Sequence, residues 1–168
     1  VQSLAVNKEN RILHGILSKA VQHTQPADIA AVFFTSEKFD SSRIQLTEEE
    51  SQFIENDEVV FCGDSSSFPM EKLNDYLITS NGLKTVPSSE RLDFKQSLAW
   101  LESGQCDYML TATETPERKK VFNFTPPYNE ETRVIAVGEN TSLIIDIEDH
   151  LDKTFAVQDG SLIVELLI

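Results

Sequence analysis

Hydroxyl side chains and one arginine lie close together in residues 111–118, in a pattern that suits the binding of a small carboxylate. Thr111 and Thr113 follow a predicted strand, and Thr115 before a proline has the pattern of a helix N-cap with a first-turn proline. Arg118, one turn further on, is able to make a two-pronged contact with a carboxylate. By spacing alone, a surface helix start with a solvated arginine is the stronger interpretation.

Two other loops after predicted strands also carry polar groups. Asp64 offers an acceptor for an ammonium group, and Ser161 lies in a Gly-Ser turn whose free N–H groups favour an anion. Ligands of open α/β sheets bind beyond the carboxyl ends of the strands, so the three loops together suit a small zwitterion. Taken singly, Asp64 is explained as a turn former and Ser161 as a plain N-cap.

The composition limits the class of partner. The chain has 168 residues, 40% of them hydrophobic and 25% charged, which is enough for one moderate domain or two small lobes with a packed core. A formal net charge of −14 argues against nucleic acid or an anionic membrane as the main partner. No apolar run approaches the length of about 18 residues that a membrane span needs.

The cysteines and histidines do not indicate a metal site. Cys62 and Cys106 form no CxxC motif, and two alternatives remain for them, small core residues or a disulfide. The three histidines show no metal-ligand spacing, so we expect neither a metal nor a cofactor.

Strands and helices alternate from Glu58 onward, which predicts a largely parallel α/β sheet. The predicted strands are residues 4–6, 58–63, 83–86, 107–112, 132–137 and 154–157. The predicted helices begin at Asn10, Pro26, the capping box Thr47 to Glu50, about Met70, Asp93, Ile147 and Ser161.

Four segments in order carry a resemblance to a known family. They are residues 98–107 (LAWLESGQCD), 113–118 (TETPER), 124–128 (FTPPY) and 155–161 (FAVQDGS). The chain resembles the type-2 periplasmic solute-binding family that binds amino acids. It looks more closely like the periplasmic sensor domains built from that family in bacterial histidine kinases and diguanylate cyclases. The resemblance covers about residues 57–168.

The resemblance implies an α/β fold of the periplasmic-binding-protein type (type 2), with a nearly complete first lobe at residues 57–131 and a partial second lobe at residues 132–168. Residues 35–56 are expected to form a linker and a short capped helix. Residues 1–34 resemble the end of a preceding solute-binding-like domain, or a docking segment. We expect residues 132–168 to be supported by residues 1–34 or by a neighbouring molecule, through a homodimer or swapped contacts.

The resemblance also implies a ligand site made of the loops after the first-lobe strands and the second-lobe turn: Asp64, Ser67, Phe68, Thr111, Thr113, Arg118 and Ser161. Arg118 would bind the ligand carboxylate, helped by the backbone or hydroxyl of Thr113. Ser67 stands where the family often has an aromatic residue that stacks on the ligand, and Phe68 is the neighbouring substitute. The side-chain preference of the pocket therefore stays open.

The implied function is the sensing of a small, amino-acid-like solute in the periplasm, by a non-catalytic domain of a bacterial membrane signalling protein. The membrane would be reached through the parent protein only. The alternatives are the solute-binding subunit of an amino-acid uptake transporter and a module that binds only protein. An enzyme such as a dehydratase, with Glu114 or Asp64 as acid or base, is a further alternative.

Overall fold

The computed structural model describes residues 1–24, 26–32, 44–63, 70–130, 132, 134–141, 144–150 and 152–167. The strands are β1 (Ser3–Asn7), β2 (Glu58–Phe61), β3 (Lys84–Pro87), β4 (Tyr108–Ala112) and β5 (Phe122–Phe124). The helices are α1 (Arg11–Gln22), α2 (Pro26–Val32), α3 (Glu48–Asn56), α4 (Met70–Leu77), α5 (Phe94–Ser103), α6 (Arg118–Val121) and α7 (Leu162–Leu167), with 3₁₀ turns at Thr79–Asn81 and Glu148–His150.

The five strands form one mixed sheet in the order β3-β2-β4-β1-β5. β2 pairs in parallel with β3 and β4, whereas β1 pairs antiparallel with β4 and β5. The α/β class is therefore confirmed, but the expectation of a largely parallel sheet is wrong. The alternation of elements from Glu58 onward predicts the β2, β3 and β4 part, and it contains no information on a strand that precedes it.

The first strand occupies an inner position of the sheet. β1 lies between β4 and β5, and α1 packs against α3 and α4. Because side chains alternate along a strand, Leu4 and Val6 belong to the core on one face of the sheet and Ala5 to the core on the other. The strand at Ser3–Asn7 thus belongs to the same sheet as the strands between Glu58 and Phe124, and the docking of residues 1–34 as a segment stays a prediction. The identity of this segment as the end of a preceding domain also stays a prediction.

The predicted helix boundaries agree with the observed ones where a cap was recognised. Asn10 accepts a hydrogen bond from the Leu13 amide at the start of α1, and capping boxes open α3 at Thr47 and α5 at Asp93. Gly104 ends α5 in the left-handed conformation, with φ of 75°. These helix ends were predictable because each cap depends on residues within one turn of the helix.

The two strands predicted in the second-lobe region are not formed in the residues that the structure describes there. Residues 132 and 134–137 are exposed and outside any strand, with Val134 at 84% exposure, and residues 154–157 are likewise not in a strand. A strand needs a partner for its backbone N–H and C=O groups, and apolar alternation does not say whether one is present. The predicted helix at Ile147 is a 3₁₀ turn, and α7 follows Ser161 as expected.

Hydrophobic residues fill both faces of the sheet. One cluster lies under α1, α2 and α4 and contains Tyr108 and Leu110, and the other lies under α5 and contains Met109 and Leu101. Within the ranges given above, no helix has both the length and the hydrophobicity for a membrane crossing.

Candidate functional site

The loop after β4 is held by Thr115. The Thr115 hydroxyl accepts a hydrogen bond from the Arg118 amide at 3.2 Å, and its carbonyl accepts one from the Lys119 amide at 2.9 Å. Thr115 is buried, and residues 116 and 117 form a turn before α6. The Thr115 hydroxyl thus makes a hydrogen bond of the capping type, but α6 begins two residues later than the proline pattern indicates and its N-cap position is Glu117, which makes no side-chain capping bond.

The Arg118 side chain turns inward. It is 7% exposed, and its two terminal nitrogens donate to the carbonyl oxygens of Thr113 at 3.0 Å and Gly160 at 2.8 Å. The centre of the guanidinium lies 5.6 Å from the centroid of the Phe94 ring, within the range of a cation–π contact. The interpretation of a solvated surface arginine is therefore wrong.

The Gly160 carbonyl that Arg118 contacts belongs to a tight turn at residues 158–161, which we call the Gly160 turn. The Ser161 amide donates to the Gln158 carbonyl at 3.1 Å, and Gly160 has a φ of +73°, which favours glycine. Lys95 on α5 forms an ion pair with Asp159 at 2.9 Å. The hydrogen bond in this exposed pair lowers the pKa of Asp159 and raises that of Lys95.

Ser161 itself places a hydroxyl inside the protein. Its Oγ atom is buried and has no hydrogen-bond partner in the described part of the chain. Buried polar atoms without a partner are rare in folded proteins and cost free energy. The Ser161 hydroxyl is therefore available to an additional acceptor or donor.

A cavity of about 610 Å³ shares the residues Phe94 and Gln158 with this region. It lies over the end of β2 and the middle of β4, next to the start of α5, and Thr111 lies in its wall. Phe94 and Gln158 join it to the arginine, since Phe94 contacts the guanidinium and Gln158 begins the Gly160 turn. The lining consists of Phe61, Cys62, Gly63, Arg91, Leu92, Asp93, Phe94, Gln96, Ser97, Met109, Leu110, Thr111 and Gln158.

A disulfide joins Cys62 and Cys106 next to this cavity. The two Cα atoms are 5.7 Å apart, which is an ordinary separation for a disulfide. The bond ties the end of β2 to the segment that leads into β4, and it decides between the two alternatives that the sequence left open. A structural disulfide is typical of proteins outside the cytoplasm.

The structure brings four of the residues implied by the resemblance into one region. Thr111 lines the cavity, Thr113 and Arg118 lie in the adjoining loop, and Ser161 follows the glycine that Arg118 contacts. The remaining three, Asp64, Ser67 and Phe68, are outside the described residues. No cluster of potential metal ligands occurs in the ranges that the structure covers.

Sequence reasoning missed the contributions of Phe94 and of the Gly160 carbonyl. Phe94 follows a recognisable N-cap, but nothing in its type or spacing distinguishes it from a core aromatic residue. A backbone carbonyl has no sequence signature at all. Gly160 offered a sequence signal for this contact, because a glycine indicates a turn and the segment around it carries the family resemblance.

Comparison with known families gives one match. The family model described as "Bacterial extracellular solute-binding proteins, family 3" matches residues 78–163, which is slightly more than half of the chain. The matched region contains β3, α5, β4, the Arg118 loop and the Gly160 turn. No curated protein and no solved structure gives a match to the chain.

Proposed function

Because the chain belongs to family 3 of the bacterial extracellular solute-binding proteins, we propose that it binds a small amino-acid-like solute without transforming it. The solute lies at the cavity over β2 and β4, and its carboxylate is bound by Arg118. Thr111 and Thr113 contribute hydrogen-bonding groups at the same strand end. The family is one of binding proteins, which favours recognition over catalysis.

The observation that carries this proposal is the inward position of Arg118, which does not itself line the cavity but contacts Phe94, a lining residue. Arg118 is 7% exposed in a chain of net charge −14, and Phe94 lies against both the guanidinium and the cavity. A guanidinium is able to form two parallel charge-assisted hydrogen bonds with a carboxylate. This arrangement supports a carboxylate ligand better than a neutral one.

The cavity also supports a ligand with an apolar part. Phe61, Leu92 and Met109 supply hydrophobic surface, and Thr111 and Gln158 supply polar groups at the edge. Arg91, Asp93, Gln96 and Ser97 also line the cavity, so polar and apolar groups contribute to it about equally. The expected acceptor for the ligand ammonium is Asp64, with Ser67 and Phe68 near the ligand side chain, and all three assignments remain proposals from the sequence.

We place this binding in the periplasm, within a sensor. The extracellular family and the disulfide both favour an extracytoplasmic compartment. The sequence resemblance to sensor domains of histidine kinases and diguanylate cyclases favours signalling over uptake. A transporter subunit would use the same pocket, so the residues of the pocket do not separate the two roles.

A thermal-shift screen tests the binding function. The twenty L-amino acids are compared with the amines that lack only the α-carboxylate. We expect at least one amino acid, and not its amine, to raise the melting temperature, because a ligand that binds only the folded state stabilises it. The variant Thr111→Val should reduce the shift, whereas Thr132→Val, which changes an exposed threonine, should not. The absence of a shift with every amino acid would count against the proposal.

A further inference from the structure

We propose that the Gly160 turn is a latch that occupies Arg118 and must release it before a carboxylate binds. In the state described here, the Gly160 carbonyl takes the place of a ligand oxygen. The inference deepens the proposed function and rests on it. It assigns to residues 158–161 a role in regulating access to the arginine.

The carbonyl groups of Thr113 and Gly160, which both accept a hydrogen bond from Arg118, differ in origin. Thr113 is five residues away in the same loop, so its carbonyl positions the guanidinium locally. Gly160 is 42 residues away, and its carbonyl reaches the arginine only because the turn lies against the loop. The Gly160 carbonyl is a neutral acceptor that takes one N–H group, whereas a carboxylate carries a negative charge and is able to accept two parallel N–H bonds from a guanidinium. A carboxylate is therefore able to displace the Gly160 carbonyl.

The buried Ser161 hydroxyl indicates that hydrogen bonding is incomplete in the latched state. It has no partner in the described residues, and it follows directly the residue that Arg118 contacts. Because Ser161 belongs to the Gly160 turn, opening of the latch carries its hydroxyl out of this buried position and removes the unsatisfied group that the latched state contains.

The ion pair between the turn and α5 is of the kind that opens readily. The Lys95–Asp159 ion pair is exposed on both sides, and exposed pairs contribute little to stability. Gly160 packs against Lys95, since a Cβ atom at position 160 would lie 3.2 Å from the Lys95 Cβ. Lys95 follows Phe94, the residue that contacts the guanidinium. One short stretch of α5 thus supports both the arginine and the turn that covers it.

Opening of the latch has two consequences for binding. Arg118 loses a competing acceptor, and Gln158 moves away from the cavity wall, which widens the cavity. If only the open fraction binds ligand, the apparent dissociation constant equals the intrinsic one divided by the open fraction. The latch therefore sets the sensitivity of the site.

Hydrogen exchange of the backbone amides in residues 159–164 tests the latch on the whole chain without an amino acid. We expect Lys95→Met to accelerate this exchange about two- to fivefold, the range for loss of an exposed ion pair. Lys153→Met removes another exposed ion pair, with Asp152, and should leave the exchange unchanged. Equal exchange in the wild type and Lys95→Met would overturn the assignment of the ion pair to the latch.

A second comparison uses sodium acetate as the simplest carboxylate, against sodium chloride at the same concentration. Acetate should accelerate exchange of residues 159–164 in the wild type and have no such effect in Arg118→Gln, where the turn is already released. An acetate effect no larger than that of chloride would overturn the competition. Neither comparison uses an amino acid. If no amino acid bound the protein, the proposed function would be contradicted, and the hydrogen-exchange rates would still test the latch.

Discussion

Arg118 donates a hydrogen bond of 2.8 Å to the carbonyl oxygen of Gly160, a residue 42 positions further along the chain. This contact joins the loop after β4 to the turn before α7. Both ends fall in segments that carry the family resemblance, and the contact makes them neighbours. It also places the arginine beside the cavity, through Phe94 and Gln158.

Glu50→Gln should change how stability depends on pH. Burial alone raises the pKa of Glu50, but the hydrogen bonds from Lys19 and Thr47 outweigh that effect, and the pKa lies below its ordinary value of 4.5. A carboxylate with a lowered pKa stabilises the fold above its unfolded-state pKa and loses this contribution as pH falls through the folded-state pKa. The variant should lose about 1 kcal/mol at neutral pH, and the difference should shrink below about pH 4.5.

Urea unfolding at several pH values measures this effect. Glu49→Gln, on the exposed side of α3, is the matched control for the loss of a charge from the first helical turn. A difference between wild type and Glu50→Gln that stays constant with pH would contradict the assigned role of the Lys19–Glu50 pair, whose atoms are 2.5 Å apart.

Gly15→Ala should destabilise the protein, although alanine is normally the better residue inside a helix. Gly15 lies within α1, and a Cβ atom there would approach the Glu50 Oε1 atom to 2.9 Å. The Glu50 side chain is held by Lys19 and Thr47, so it does not move away without losing those bonds.

The same substitution in a Glu50→Ala background should instead stabilise by up to about 1 kcal/mol, the usual advantage of alanine over glycine in a helix. The double-mutant cycle is measured by chemical denaturation. Equal effects of Gly15→Ala in the two backgrounds would show that Glu50 does not explain the glycine.

Replacement of both cysteines by serine should lower the free energy of unfolding by about 2–4 kcal/mol, because the Cys62–Cys106 bond closes a loop with a sequence separation of 44. Denaturant unfolding of oxidised protein, reduced protein and the double variant gives the measurement. The reduced wild type and the double variant should behave alike. If oxidised and reduced protein unfold at the same denaturant concentration, the disulfide contributes nothing to stability.

The sequence predicted those parts of the fold that depend on local contacts. Helix starts were predictable from Asn10, Thr47 and Asp93, and a helix end from Gly104. They were predictable because caps involve residues one turn apart. The inner position of β1 was not predicted, since strand pairing joins residues about a hundred positions apart, such as Val6 and Tyr108. Strand patterns in residues 132–137 were misleading because a pattern does not supply a pairing partner.

The candidate site was also predictable from the sequence only in part. Thr115 was recognised as a cap and Arg118 as a ligand residue by resemblance, yet spacing alone favoured a solvated arginine. Only the three-dimensional arrangement shows that Arg118 is buried against Phe94 and contacts Gly160. Contacts made by a backbone carbonyl or by the face of a ring cannot be predicted from residue type or spacing.

Isothermal titration calorimetry with the amino acid selected by the thermal-shift screen tests most directly whether Arg118 binds the ligand carboxylate. The wild type should bind it, and Arg118→Gln should bind at least tenfold more weakly, since a buried charge-assisted hydrogen bond contributes about 1.5–3 kcal/mol. Circular dichroism and a cooperative melting transition establish that the variant is folded. Equal affinity in a folded Arg118→Gln variant, or equal binding of the amine that lacks the carboxylate, would contradict the account.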